Sequence, residues 1–283
     1  MDRRSALTLL AAAGVLGTAG LASCASPRPA EEEGVAAPTR ITYGDDPSQY
    51  AELTRPVGDS KGVVVVIHGG FWQAQYEASL GQPLAASLAV NGWTAWNLEY
   101  RRVGNGGGYP ATFDDVAAGI DALADVQGLD LRTVVTLGHS AGGHLAVWAA
   151  GRPALTGTSW ADPAVRVTAA VSQAGLLDLA TADASNLGGG AVRSLLGEPS
   201  GPRDDRDALA DPTARLPLAV PVRCIHGRGD AIVPLSQSSD YVALATAAGA
   251  DATLTEVDGD HFVVIDPASE AWALTLELLD ALA

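Results

Sequence analysis

The sharpest chemical feature of this sequence is one serine set among glycines. Thr136–Leu137–Gly138–His139–Ser140–Ala141–Gly142–Gly143–His144 ends a β-branched run and opens an alanine-rich one, Ala141–Ala150. A serine on a strained strand-to-helix turn has its hydroxyl pushed clear of the sheet. Side chains two positions before and after it would collide, and Gly138 and Gly142 have none. Ala141, at the helix start, offers a backbone N–H to charge developing on a substrate oxygen. The same five-residue pattern also occurs as a plain turn; the strand before it and the helix after it favour a nucleophile.

His68–Gly69–Gly70–Phe71–Trp72 is a second glycine cluster, closing the strand Gly62–Ile67. Adjacent glycines let backbone amides approach a carbonyl oxygen, and the cluster lies one strand-helix-strand unit before the serine. An ordinary Gly-Gly turn is the alternative. Trp72 could wall an acyl or aryl pocket or simply pack the loop, and both readings stay open.

A serine needs a base, and the histidines are 68, 139, 144, 226 and 261. His68 and His139 adjoin the glycine turns, and His144 lies one helical turn beyond Ser140. His261 follows the run Thr253–Val257, and Asp230 follows Val222–Ile225 in a Gly227–Arg228–Gly229 turn. The order serine, acid, histidine at neighbouring strand ends gives Ser140, Asp230 and His261 as the catalytic set. His226 is expected to be structural. Asp178, Asp258 and Asp260 are rival acids, although Asp260 adjoins His261 and adjacent side chains in an extended loop point apart.

These residues require a frame of alternating strands and helices. Six short apolar runs, Gly62–Ile67, Thr94–Tyr100, Thr133–Leu137, Val167–Ser172, Val222–Ile225 and Thr253–Val257, read as strands. Helical spacing separates them: Thr112 and Asp115 form a capping pair ahead of Val116, Ile120 and Leu123. Asp266–Pro267 opens a last helix carrying Trp272, Leu276 and Leu279. The fold class expected is α/β: a mostly parallel twisted sheet with helices on both faces. Ala174–Leu218 is the least regular stretch and is expected to form a small lid over the sheet's edge. Glu99–Tyr100–Arg101–Arg102 reads as structural pairing at a strand end.

Composition removes other classes. The formal charge is −16, from 17 Lys and Arg against 33 Asp and Glu, which disfavours nucleic acid. No polybasic stretch would hold an anionic membrane. The two cysteines, Cys24 and Cys224, cannot build a disulfide framework, and Cys224 reads as a small buried hydrophobe. Metal-ligand spacings and phosphate-binding glycine motifs are not apparent, so no metal and no cofactor are expected. Partners reduce to a small-molecule ester or amide.

Residues 1–23 have a cationic start, an apolar stretch and small residues at its end, the pattern of an export signal. A transmembrane helix is the alternative, although Ala, Gly and Thr insert weakly. Leu21–Ala22–Ser23–Cys24 resembles the lipobox of bacterial lipoproteins. That resemblance implies acylation of Cys24, a tether over 24–39 and a protein lipid-anchored at the outer face of the bacterial membrane. Arg3–Arg4 resembles a twin-arginine signal only weakly.

Over residues 40–283 the sequence resembles the α/β-hydrolase superfamily. HGGFW, GHSAGGHLA, HGRGDAIVP and DHFVVIDP are similar to the bacterial esterase and kynurenine formamidase-like branch. The resemblance implies nucleophile Ser140, acid Asp230, base His261, and an oxyanion hole from Gly69, Gly70, Trp72 and Ala141. Phe71 stands where hormone-sensitive lipases carry a third glycine, and His139 stands where their elbow has Asp. The catalytic domain of prolyl oligopeptidases is also similar, but the chain is too short for their propeller. Hydrolysis of a small carboxylic ester is the expected activity, an arylformamidase the alternative. A non-enzymatic surface-binding protein on the same scaffold is the third.

Overall fold

The computed structural model describes residues 35–197 and 205–283. The export signal, Cys24 and the tether as far as residue 34 lie outside the described residues. The sheet starts at Thr39, the last residue assigned to the tether by sequence.

Among the described residues, eight strands form one sheet: β1 (Thr39–Thr42), β2 (Tyr50–Thr54), β3 (Val63–Ile67), β4 (Thr94–Leu98), β5 (Val134–His139), β6 (Ala169–Gln173), β7 (Val222–Gly227) and β8 (Ala252–Val257). Their spatial order is β1-β2-β4-β3-β5-β6-β7-β8. From β4 to β8 all pairs are parallel, whereas β1 and β2 are antiparallel additions at one edge. Sequence patterning anticipates the six parallel strands and misses these two.

β3 shows why its residues make a central strand. All five are buried, and they alternate between two apolar layers. Val63, Val65 and Ile67 join Phe113, Val116 and Leu145 on one face. Val64 and Val66 meet Leu84, Leu88 and Trp272 on the other. Each such side chain contributes roughly 1.5–3 kcal/mol by leaving water. The first layer holds α2 (Ala111–Asp121) and α3 (Ala141–Ala150), the second α1 (Gln82–Val90) and α8 (Glu270–Asp280). Every residue of α3 is buried, so its apolar character runs all round and it sits inside the fold.

Two sequence expectations need correction. Thr112 and Asp115 do not cap α2, whose N-cap is Pro110 with no side-chain bond. The Asp115 carboxylate accepts from the Arg101 guanidinium at 2.6 and 2.8 Å and from Gln49, and Thr112 Oγ1 donates to Arg101 O. Tertiary partners took both side chains. The last helix begins at Glu270 rather than Asp266, because the Ser269 hydroxyl accepts from Trp272 N at 3.0 Å and caps it there.

Ala174–Leu218 joins β6 to β7, both interior strands, and lies beside the loop after β3, where a Cβ on Gly188 would stand 2.5 Å from the Phe71 ring. It carries short helices α4 (Leu179–Ala184), α5 (Ala191–Leu196) and α6 (Arg206–Ala210). Ala182, Val192 and Leu195 are buried in the same layer as Phe113 and Trp148. Asp211 ties the segment together, accepting from Leu179 N at 3.1 Å and Thr213 N at 2.8 Å. Burial pushes that carboxyl up to about 6 against the lowering effect of these amides. A further helix, α7 (Ser236–Ala247), lies between β7 and β8 in sequence.

Candidate active site

Ser140 occupies the single residue between β5 and α3. Its backbone lies at φ 55°, ψ −119°, a region that costs an L-residue on the order of 1–3 kcal/mol. The turn is held by Ser140 N donating to Gln173 O at 2.8 Å and by His144 N donating back to Ser140 O at 3.2 Å. The glycines are steric necessities. A Cβ on Gly138 would run into the Gly142 carbonyl, and one on Gly142 into the carbonyl of Ile67. Only backbone lies in the way, so neither clash can be relieved by a rotamer.

The loop after β3 packs against this turn. A Cβ on Gly69 would stand 2.7 Å from His139 O and 3.1 Å from Ser140 Cβ. Gly70 has φ +110°, and Phe71 and Trp72 follow at φ 52° and 55°. Two consecutive non-glycine residues in the left-handed region mark a loop whose amide directions are imposed by its surroundings. The Trp72 side chain is fully buried, edge-on to His144 with ring centroids 5.2 Å apart. Of its two open readings, packing is the one the structure supports. Ala141, as the first residue of α3, has an amide with no intrahelical acceptor.

Asp230 and His261 follow the adjacent parallel strands β7 and β8. His261 Nδ1 and Asp230 Oδ2 are 2.6 Å apart, and Asp230 Oδ1 accepts from Ile232 N and Val233 N at 2.8 Å each. Burial raises the Asp230 pKa, but hydrogen bonds from His226, His261 and these two amides outweigh it, holding the carboxyl well below the usual range. Close approach of the two loops explains the local glycines: a Cβ on Gly227 would stand 2.5 Å from Asp260 O.

His261 is brought to Ser140 through its neighbour. His139 Nε2 donates to His261 O at 2.9 Å, and the two rings lie 4.5 Å apart. Burial, then the nearby His261, lowers the His139 pKa to about 3, so its ring is neutral. Ser140 and His261 are both buried, at 2% and 3% exposure. A Ser140–His261 hydrogen bond is not among those made by the described residues; such contacts often tighten only when substrate binds.

The rival residues have other occupations. Asp178 caps α4 by accepting from Thr181 N at 2.8 Å. Asp258 is exposed and pairs with Arg228, and Asp260 accepts from Phe262 N. His226 is structural: Nδ1 meets Ser238 Oγ at 2.8 Å and Nε2 meets Val233 O at 3.0 Å. His144 Nε2 donates to Ala210 O, linking α3 to the β6–β7 segment. Cys224 is buried, which pushes its thiol up to about 12. Among the described residues no cluster of three His, Cys, Asp or Glu side chains could hold a metal ion. No helix among them is long and apolar enough to cross a membrane.

Sequence reasoning missed Gln173, whose carbonyl holds the Ser140 amide while its side chain donates to Val264 O beyond His261. Its only signal was position, opposite His139 in the β5–β6 register.

A mostly parallel sheet with a serine elbow after β5, and an acid and a histidine after its last two strands, defines the α/β-hydrolase fold. The BD-FAE family model matches residues 53–244, and the chain belongs to that family. Esterase LipC of Mycobacterium tuberculosis (strain ATCC 25618 / H37Rv) is 32% identical over 131 residues. That alignment covers 44% of this chain and spans only 30% of the relative's length.

Solved structures agree in fold. A truncated carbohydrate esterase from gut microbiota superposes with TM-score 0.74 at 22% identity, covering 89% of this chain and 98% of that one. An inhibited esterase B from Lactobacillus rhamnosis gives TM-score 0.74 at 23% identity, covering 88% of each. Butyrate-bound esterase 2 of Thermogutta terrifontis gives 0.70 at 20% identity, over 87% and 92%.

Proposed function

We propose that the protein is a serine hydrolase that cleaves small carboxylic esters through an acyl-enzyme. The observation that carries this is the Asp230–His261 hydrogen bond of 2.6 Å, set beside the strained Ser140 turn by the His139–His261 contact. The esterase names of the relatives support an ester over an amide.

Ser140 Oγ attacks the ester carbonyl while its proton passes to His261 Nε2. Asp230, accepting from Nδ1–H, keeps the opposite nitrogen free as the base and stabilises the imidazolium that forms. The carbonyl oxygen becomes an oxyanion facing backbone amides of Ala141 and the Gly69–Trp72 loop. Collapse breaks the bond to the alkoxide, which takes the proton from His261 and leaves as alcohol. Water, deprotonated by His261, attacks the acyl-enzyme; Ser140 recovers the proton and the carboxylic acid departs.

Ester and formamide readings separate on substrate. Side-by-side turnover of p-nitrophenyl acetate and N-formylkynurenine is expected to favour the ester by at least about 100-fold in kcat/KM, roughly 3 kcal/mol in transition-state binding. The reverse preference would identify an arylformamidase, and no turnover of either would favour a binding protein.

Cys24, read as the lipid-bearing residue, is proposed to anchor the catalytic domain at the outer face of the bacterial membrane. The support is the Leu21–Cys24 pattern behind a cationic, then apolar, start. Metabolic labelling with palmitate in a bacterial host is expected to disappear in Cys24→Ala; retained label refutes lipidation there.

A further inference from the structure

The Gly69–Gly70 peptide is held from beneath by a buried polar cluster. His68 Nδ1 lies 2.9 Å from Gly69 O. A carbonyl can only accept, so Nδ1 carries the proton. The peptide is trans, which turns the Gly70 N–H to the side opposite the Gly69 carbonyl. With Gly69 O drawn inward to His68, the Gly70 N–H faces outward, on a peptide that rests against Ser140.

The His68 ring is fixed in turn by the segment after β4. It stacks on Tyr100 at 4.5 Å, and the Tyr100 hydroxyl donates to His68 O at 2.8 Å. Its Nε2 stands 3.3 Å from Glu99 Oε1 and 3.3 Å from Arg102 Nη1. Glu99, 2% exposed, organises the rest. Oε1 accepts from Tyr100 N at 2.7 Å and from Arg102, and Oε2 from Ala78 N at 2.8 Å. Farther along, Val103 N donates to Trp72 O and Ala74 N to Val103 O, so the same segment clasps the loop's far end.

We propose that Glu99 is a positioning residue which, through His68 and the Gly69 carbonyl, aims the Gly70 amide at the oxyanion formed on Ser140. The inference rests on the serine-hydrolase reading above. Two carboxylate oxygens are needed because donors approach both. A glutamine has one acceptor oxygen, so its NH₂ group must confront either Ala78 N–H or the Tyr100 and Arg102 donors. The strain falls on the loop's amide direction, which matters when the oxyanion forms and little when neutral ester binds.

The test compares wild type with Glu99→Gln, His68→Ala, His68→Asn and Ser140→Ala, using p-nitrophenyl acetate kinetics alongside thermal unfolding. Glu99→Gln and His68→Ala are expected to lower kcat by about 10- to 100-fold with KM within about threefold, somewhat less than outright loss of an oxyanion donor. His68→Asn, whose amide N–H reaches near the Nδ1 position, is expected to recover about tenfold over His68→Ala. Overturning results are a Glu99→Gln kcat within twofold of wild type, a loss expressed equally in KM, or no rescue by asparagine. If Glu99→Gln does not fold, the His68 pair decides. Equal turnover by wild type and Ser140→Ala would remove the hydrolase reading and this inference with it. Loss in Ser140→Ala with an unaffected Glu99→Gln would remove this inference alone.

Discussion

Ser140→Ala is expected to lower turnover of p-nitrophenyl acetate by about 10⁴-fold or more and to abolish labelling by a fluorophosphonate. The folded state should survive the change. Alanine keeps the Cβ, and so inherits the φ of 55° at a cost close to that already borne by serine. The hydroxyl makes no hydrogen bond within the described residues, and the turn is held by the Ser140 amide and carbonyl, which the substitution leaves intact. The thermal midpoint should therefore move by less than about 4 °C, the effect of roughly 1 kcal/mol in a domain of this size. Loss of activity with an unmoved midpoint separates nucleophile from structural turn. Equal labelling of both proteins would sink the assignment.

What the sequence made legible depended on whether neighbours in the chain settle each residue's environment. Val63–Ile67 is buried on both faces, so its apolar run announces a central strand without further context. β1 is short and largely exposed, and its pairing with β2 gave no comparable signal. The glycines around Ser140 were readable because their constraint is local: Gly138 and Gly142 clear space around one turn. The meeting of Asp230 with His261 was readable because parallel strands deliver successive loops to one end of the sheet.

Thr112 and Asp115 misled because residues far from helix spacing claimed them: Arg101, and Gln49, 66 positions from Asp115. Glu99 is the same lesson at the site. Its partners His68 and Ala78 precede it by 31 and 21 positions, and no spacing rule links them. Burial of a charged residue among several donors is the observation that exposes it, and burial of this kind is a property of the fold.

Asp230→Asn is expected to cost about 10⁴-fold in kcat while leaving the site's outline in place. Donors and acceptors around the carboxylate set this cost. Asp230 Oδ1 faces two amides, Ile232 N–H and Val233 N–H, while Oδ2 faces His261 Nδ1. An asparagine avoids turning its NH₂ group on the two amides by keeping its oxygen there. Its NH₂ group then meets His261 Nδ1, which must accept, and the ring proton moves to Nε2. A ring protonated at Nε2 cannot take the proton of Ser140. His226 Nε2, 3.2 Å from Oδ2, adds a second group that favours the carboxylate over the amide. Nitrogen-15 spectra of labelled histidine would detect the tautomer change independently of turnover. Wild-type kcat in Asp230→Asn would remove the acid from Asp230 and return the choice to Asp258, Asp260 or Asp178.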